Sequence, residues 1–261
     1  MNRSAWYLGC SADDVGEAAI LVGDPARIDR IAPLLTNPRM LKENRGLRVV
    51  TGGYLNRHLT VSAFGMGAPI ATIVLHELFD LGVRTLLRIG TAMAVPPAKP
   101  GDFVLADAAL RAEGTSKAYA PVGYPAVSDF DLNQILRQRL SRSQRAWHAG
   151  VYGSYDGFYT EMYGLSDGTR QPIDALRVEI QRLGLIATDM ETSALLTAGR
   201  ILGARVSTLC LATVDAITQA KLDPEETRRA ELELFEIALW SLAQPLAPHA
   251  VSQPERPVVE A

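Results

Sequence analysis

An alternation of two kinds of segment constrains this chain more than any other feature. Short apolar, β-branched runs occur at Ala18–Val22, Leu59–Ala63, Thr85–Ile89, Phe103–Leu105 and Val206–Ala212. They show little polar alternation, which is the pattern of strands buried on both faces. Between them lie stretches with apolar residues at helical spacing. Pro69–Leu81 sets Ile70, Ile73, Val74, Leu78 and Leu81 on one face, with Pro69 at its start and Gly82 just past its end. Met190–Leu202 does the same with Ala194, Leu195, Ala198, Ile201 and Leu202. A last helix opens at Asp223-Pro224-Glu225-Glu226, which resembles a capping box, and carries Phe235, Ala238, Leu239 and Leu242 on one face. Strands alternating with helices predict a single α/β domain over residues 1–244, with a mostly parallel central mixed sheet flanked by helices. The Pro-rich stretch 245–261 lacks periodicity and is expected to be a poorly ordered tail. In such folds ligands gather beyond the carboxyl ends of the strands.

Composition removes several classes of function. With 261 residues and 48% hydrophobic content, the chain is long enough for one sizeable core. Lys+Arg 26 against Asp+Glu 29 gives a net charge of −3, without long-range pull toward nucleic acid or anionic lipid. No apolar run approaches the length of a membrane span, and Met1–Cys10 lacks a basic region followed by an apolar one. Cys10 and Cys210 cannot build a disulfide framework, so a reducing, cytoplasmic setting is expected. His58, His76, His148 and His249 are scattered without metal-ligand spacing, so no metal is expected. Gly65-Met66-Gly67 lacks the third glycine of a dinucleotide fingerprint, and no P-loop is present, which leaves ATP and NAD without a cradle.

The strand ends carry the chemistry. The first run leads into Gly23-Asp24-Pro25-Ala26-Arg27. Gly23 permits close backbone approach, Pro25 can start a helix, and Arg27 adds a full charge to a helix N-terminus that attracts anions. A tight turn with a surface arginine reads the same way. The third run contains Arg88, followed by Ile89-Gly90-Thr91. An arginine inside an apolar strand needs a partner, either a bound oxyanion or a structural carboxylate. Thr91 would add a hydroxyl after a turn at Gly90. The last run ends Thr213-Val214-Asp215, where the acid is either a cap for the next segment or a catalytic acid. Glu191, ahead of an apolar helix, is either a sugar-binding carboxylate or a dipole-stabilised first-turn acid.

Taken in order, these stretches resemble the nucleoside phosphorylase family that contains bacterial purine nucleoside phosphorylase and uridine phosphorylase. The matching stretches are GDPARI from Gly23, ENRG from Glu43, GMGAP from Gly65, RIGT from Arg88, GSYDGFY from Gly153, DMETSALL from Asp189 and TVDAI from Thr213. The resemblance covers about Trp6 to Ala243. It implies a phosphate site of Gly23, Arg27, Arg88 and Thr91, with Arg45 supplied across a subunit interface. It implies a ribose site of Met190 and Glu191, a base site of Phe158 and Met162, and Asp215 as the acid toward a purine, helped by Arg228. Tyr7 stands where the family often has a histidine that reaches a neighbour's 5′-hydroxyl. No cofactor is implied beyond phosphate as co-substrate, and a homo-oligomer with shared sites, a dimer or a hexamer, is expected.

Two departures bear on the base. Uridine phosphorylases carry a Gln and an Arg shortly after the FY pair, and here Met162 and Gly164 stand there. Together with Asp215 and Arg228, this predicts a purine nucleoside as substrate, with uridine as the alternative. Hydrolysis in place of phosphorolysis, and non-catalytic nucleoside binding, are the rival functions. The retained arginines argue against the first, and Glu191 with Asp215 against the second.

Overall fold

The computed structural model describes residues 3–165 and 167–247. Residues 248–261, most of the expected tail, lie outside the described residues. Among the described residues ten strands run β1 Ala18–Val22, β2 Thr36–Met40, β3 Val49–Tyr54, β4 Arg57–Ala63, β5 Thr85–Ala94, β6 Phe103–Arg111, β7 Ala126–Val127, β8 Trp147–Ser154, β9 Ala187–Asp189 and β10 Arg205–Asp215. The α-helices are α1 Ala26–Ile31, α2 Ala68–Asp80, α3 Phe130–Leu140, α4 Asp167–Arg182, α5 Thr192–Leu202 and α6 Pro224–Ala243.

All the strands join one mixed sheet. Its centre is parallel: β4, β1, β5 and β10 lie side by side in that order. Antiparallel pairings extend one edge through β3 and β2. At the other side β10 continues through β6, β8 and β9, and β9 returns antiparallel to β5, closing a ring of five strands. Closure leaves those strands without a free edge. It also explains why β5 and β10 run past the apolar runs that mark them in the sequence. The polar residues from Arg88 onward still find backbone partners on β10 and β9, so the strand continues to Ala94.

Alternation along β1 shows why its run is apolar throughout. Ala19 and Leu21 face a core completed by Val74, Leu75 and Leu78 of α2 and by Leu195, Leu196 and Ala198 of α5. Ala18, Ile20 and Val22 face a second core with Ile28 and Ile31 of α1, Leu132 and Leu136 of α3, and Leu234 and Leu239 of α6. The helices thus cover both faces, as required when neither face of a strand is polar. At the start of α6, Asp223 accepts from Glu225 N at 2.9 Å and Glu226 N at 3.1 Å. This is an Asp cap and not a reciprocal box, because the Glu226 side chain turns to Arg145 and Arg229. Leu246 packs against the second core and the Ala247 carbonyl accepts from Arg205, so the first residues of the expected tail belong to the body.

Candidate active site

A cleft of ≈ 610 Å³ opens where β1, β5 and β10 end. Gly23, Asp24, Pro25 and Arg27 line one end of it, and Phe158, Tyr159 and Met162 the other, with Arg88, Thr91, Asp189, Met190 and Glu191 among the residues between. Of the residues singled out from the sequence, Gly23, Arg27, Arg88, Thr91, Phe158, Met162, Met190 and Glu191 therefore come together on one surface.

The anion-suited end is built by close backbone approach and buried arginines. A Cβ at Gly23 would stand 3.0 Å from the Gly65 carbonyl, so only glycine lets the β1 exit lie against the Gly65-Met66-Gly67 turn. Arg27 is 7% exposed, and its Nε donates to Glu231 Oε1 at 2.9 Å. Glu231 also takes Arg30 at 3.3 Å through its other oxygen. This acid was not singled out from the sequence, yet it carries a signal there. It falls on the apolar stripe of α6 that continues through Phe235, Ala238 and Leu242, and a charge on such a stripe requires a buried partner.

Arg88 lies 4% exposed on β5. Its Nη1 meets Asp189 Oδ2 at 3.1 Å and Cys210 Sγ at 2.8 Å, and its Nη2 meets Glu191 Oε2 at 2.5 Å. Burial by itself would lower the guanidinium pKa. The Cys210, Asp189 and Glu191 groups around it override that and hold it well above the usual arginine value. The same burial raises the Cys210 thiol to about 11, so it stays protonated beside the arginine at neutral pH. Arg88 thus has structural carboxylate partners and faces the cleft as well.

Gly90 does not make a turn. It sits in mid-strand, opposite Cys210 in the β10 register, and a Cβ there would come within 3.3 Å of Arg88 Cζ and Nη2. Residues 88 and 90 share a strand face, and the missing side chain leaves room for the guanidinium to lie along it. Gly90→Ala is expected to push Arg88 off its carboxylates at a cost of about 1–3 kcal/mol, the usual range for overpacking. The measurement is the thermal unfolding midpoint, with a lower value than that of the unmodified protein expected. An unchanged midpoint would show that the guanidinium relaxes freely.

Glu191 is the N-cap residue of α5, but its side chain makes no cap bond there. That task falls to Asp189, whose carboxylate accepts from Thr192 N, Thr192 Oγ1 and Ser154 Oγ. Glu191 is thereby released to reach across: Oε1 accepts from Gly67 N at 2.7 Å while Oε2 takes Arg88. Gly67 caps α2 at φ +97, a left-handed backbone that turns its N–H toward the carboxylate. At the far end of the cleft Phe158 and Tyr163 stack with centroids 5.9 Å apart. Beside them a β-bulge in β10 leaves Thr213 unpaired in the register with β5, and Thr213 and Val214 lie at the cleft wall. Gln219, with its amide oriented to suit its neighbours, accepts from Gly164 N at 2.8 Å and Arg177 Nη2 at 2.7 Å.

Two pairs lie elsewhere. Tyr7 and Arg45 line a second cavity of ≈ 330 Å³ with Phe64, Gly65 and Ile70, and the Arg45 guanidinium sits 5.3 Å from the Tyr7 ring centroid. Asp215 and Arg228 line neither cavity. Asp215 Oδ1 accepts from Ile217 N at 2.8 Å and Thr218 N at 2.7 Å, which is the cap arrangement. The Arg228 side chain is 58% exposed and paired with Glu225 one turn away. The structure therefore does not bring these two side chains together.

Known proteins give this geometry its context. The family model of the phosphorylase superfamily matches residues 17–242. The chain belongs to that superfamily. Within it, the nucleoside phosphorylases are the relatives, and the enzyme is of the pentosyltransferase class. It is 37% identical to a guanosine phosphorylase of Halorubrum lacusprofundi over 77% of its own length and 79% of the relative's. It is 30% identical to the uridine phosphorylase of Escherichia coli strain K12 over 92% of its own length and 97% of the relative's. Among solved structures, a uridine phosphorylase from Vibrio fischeri superposes with a TM-score of 0.84 at 30% identity, covering 93% of this chain and 98% of the other. In the enzyme itself, no helix among the described residues is long and apolar enough to cross a membrane. No group of three or more His, Cys, Asp or Glu residues among them is arranged to hold a metal ion.

Proposed function

We propose that the enzyme cleaves the N-glycosidic bond of a ribonucleoside by attack of inorganic phosphate, with uridine as the preferred substrate. The observation that carries this reading is the order of chemistries along one cleft: an arginine-lined end, a central carboxylate, then an apolar aromatic end. Phosphate held by Gly23, Arg27, Arg88 and Thr91 places an oxygen in line with C1′. Met190 and Glu191 hold the ribose, and Phe158 and Met162 cover the base. As the C1′–N bond breaks, the sugar gains oxocarbenium character and the new C1′–O bond forms to phosphate. The base leaves with the electron pair. Positioning and charge placement supply the rate, so no cofactor is required. Water would need no cationic cradle, which sets the reading apart from hydrolysis. Arg45 and Tyr7, apart from their own chain's cleft, are assigned to a neighbouring subunit's site in a homo-oligomer acting in the cytoplasm.

The preference for uridine departs from the purine expectation. That expectation rests on Met162 and Gly164 in place of the uracil-reading pair and on Asp215 assisted by Arg228, and the last two side chains are engaged elsewhere. Relatives named uridine phosphorylase match over 87–92% of this chain and 92–97% of their own. The guanosine phosphorylase of Halorubrum supports purine nucleosides as the second reading. A panel of uridine, guanosine and inosine at saturating phosphate decides between them. Uridine is expected to exceed both purines in kcat/KM by about tenfold or more, within the range an apolar pocket achieves. Faster guanosine cleavage would establish the second reading.

A further inference from the structure

Glu77 lies on α2, lines neither cavity, and makes an unusual set of contacts. Its Oε1 accepts from Tyr7 N at 2.8 Å. Its Oε2 accepts from Tyr7 N at 3.0 Å and from Leu8 N at 2.8 Å. One carboxylate thus holds two successive backbone amides of a segment 70 residues away in sequence. The carbonyl of the same residue is held from the other side, where Asn44 Nδ2 donates to Tyr7 O at 2.8 Å. Asn44 precedes Arg45, whose φ of 53 puts it in the left-handed region and whose guanidinium covers the Tyr7 ring. Leu8, 1% exposed, anchors the next residue in the core.

These contacts form a relay. Glu77 fixes the Tyr7 backbone, Tyr7 supports Arg45 through its ring, and Asn44 ties the two segments together. Charge-assisted hydrogen bonds to backbone N–H are among the stronger polar contacts available to a half-buried carboxylate. The product of the relay is a fixed aromatic and a fixed cation lining a second cavity, which meets the main cleft at Gly65 but takes neither residue into it.

We propose that Glu77 is a positioning residue that acts in trans. By fixing Tyr7 and Arg45 on one subunit, it completes the cleft of the neighbouring subunit and contributes nothing to the cleft of its own chain. This rests on the shared-site reading above. Glu77→Ala in every subunit is expected to lower kcat/KM by about 10²-fold, the scale set by misplacing a binding group by an ångström. Glu77→Gln, of the same shape but with one acceptor oxygen, is the companion variant that guards against misfolding, and sedimentation of both checks assembly.

The test uses mixed oligomers purified through two different tags. Arg45→Ala paired with Arg88→Ala establishes whether sites are shared, since one cleft in such a pair is complete. Glu77→Ala paired with Arg88→Ala is expected to regain activity to the same level. Glu77→Ala paired with Arg45→Ala is expected to regain none, because both changes damage the donated segment. A residue with only a general structural role would not follow this pattern. If the first mixture recovers and the second does not, Glu77 acts within its own chain and the proposal is overturned while site sharing stands. Recovery in the third mixture overturns it too. If the first mixture also fails, site sharing is wrong and the proposal falls with it.

Discussion

Arg88→Ala is expected to reduce phosphorolysis by about 10²–10⁴-fold and to lower thermal stability as well. The two effects share one origin. The guanidinium neutralises Asp189 and Glu191, each almost fully buried. Removing one partner of a buried pair leaves its charges uncompensated and costs about 3–5 kcal/mol. The same cation faces the end of the cleft where phosphate is proposed to bind, so its loss also removes a fixed charge from the transition state. Arg88→Lys separates the contributions. A lysine keeps the charge but has no planar fork with which to hold Asp189 and Glu191 together. It should recover part of the stability and little of the rate. Activity of Arg88→Ala within tenfold of the unmodified enzyme would remove Arg88 from the phosphate site.

Changing Glu191 is expected to have the second largest effect, with a different signature. Its two oxygens already join Gly67 at the N-terminus of α2 to Arg88, so the carboxylate is oriented before any sugar arrives. A ribose diol would use the remaining lone pairs. Glu191→Gln keeps the shape and one acceptor oxygen but removes the charge, and should lower kcat/KM for a ribonucleoside by about 10²-fold. Because the loss runs through the sugar hydroxyls, the variant should discriminate less between ribonucleosides and 2′-deoxyribonucleosides. Steady-state kinetics on the two substrates with both enzymes form a double cycle. Equal losses on both substrates would show that Glu191 serves only to hold Arg88.

The sequence carries more of the fold than of the site. β1 is legible to the residue because both its faces meet helices, so nothing polar interrupts it. β5 and β10 are legible only in their apolar halves. The outer half of β5 is held by β10 and β9, and that of β10 by β5, long-range pairings that leave no local pattern. β2 is fully exposed and contains Pro38, and β9 is three residues long, so neither has periodicity to read. Within the site, motifs at strand ends identify the residues that meet in the cleft. What they cannot separate is two uses of one residue type. An aspartate that caps a turn and one that protonates a leaving group look alike in sequence, and at Asp215 the structure displays the cap. Gly90 presents the same ambiguity, between a turn and a clearance for its neighbour. Glu77 is harder still, because its role depends on a segment 70 residues away that has no helical or strand signal.

The central claim is that the arginine-lined end of the cleft holds a phosphate that attacks the sugar. The most direct measurement is release of the free base from uridine with phosphate present and absent, together with identification of the sugar product. The account predicts base release only with phosphate, saturating as phosphate rises, with ribose 1-phosphate formed in equal amount. Base release at the same rate in phosphate-free buffer, with free ribose as product, would contradict it.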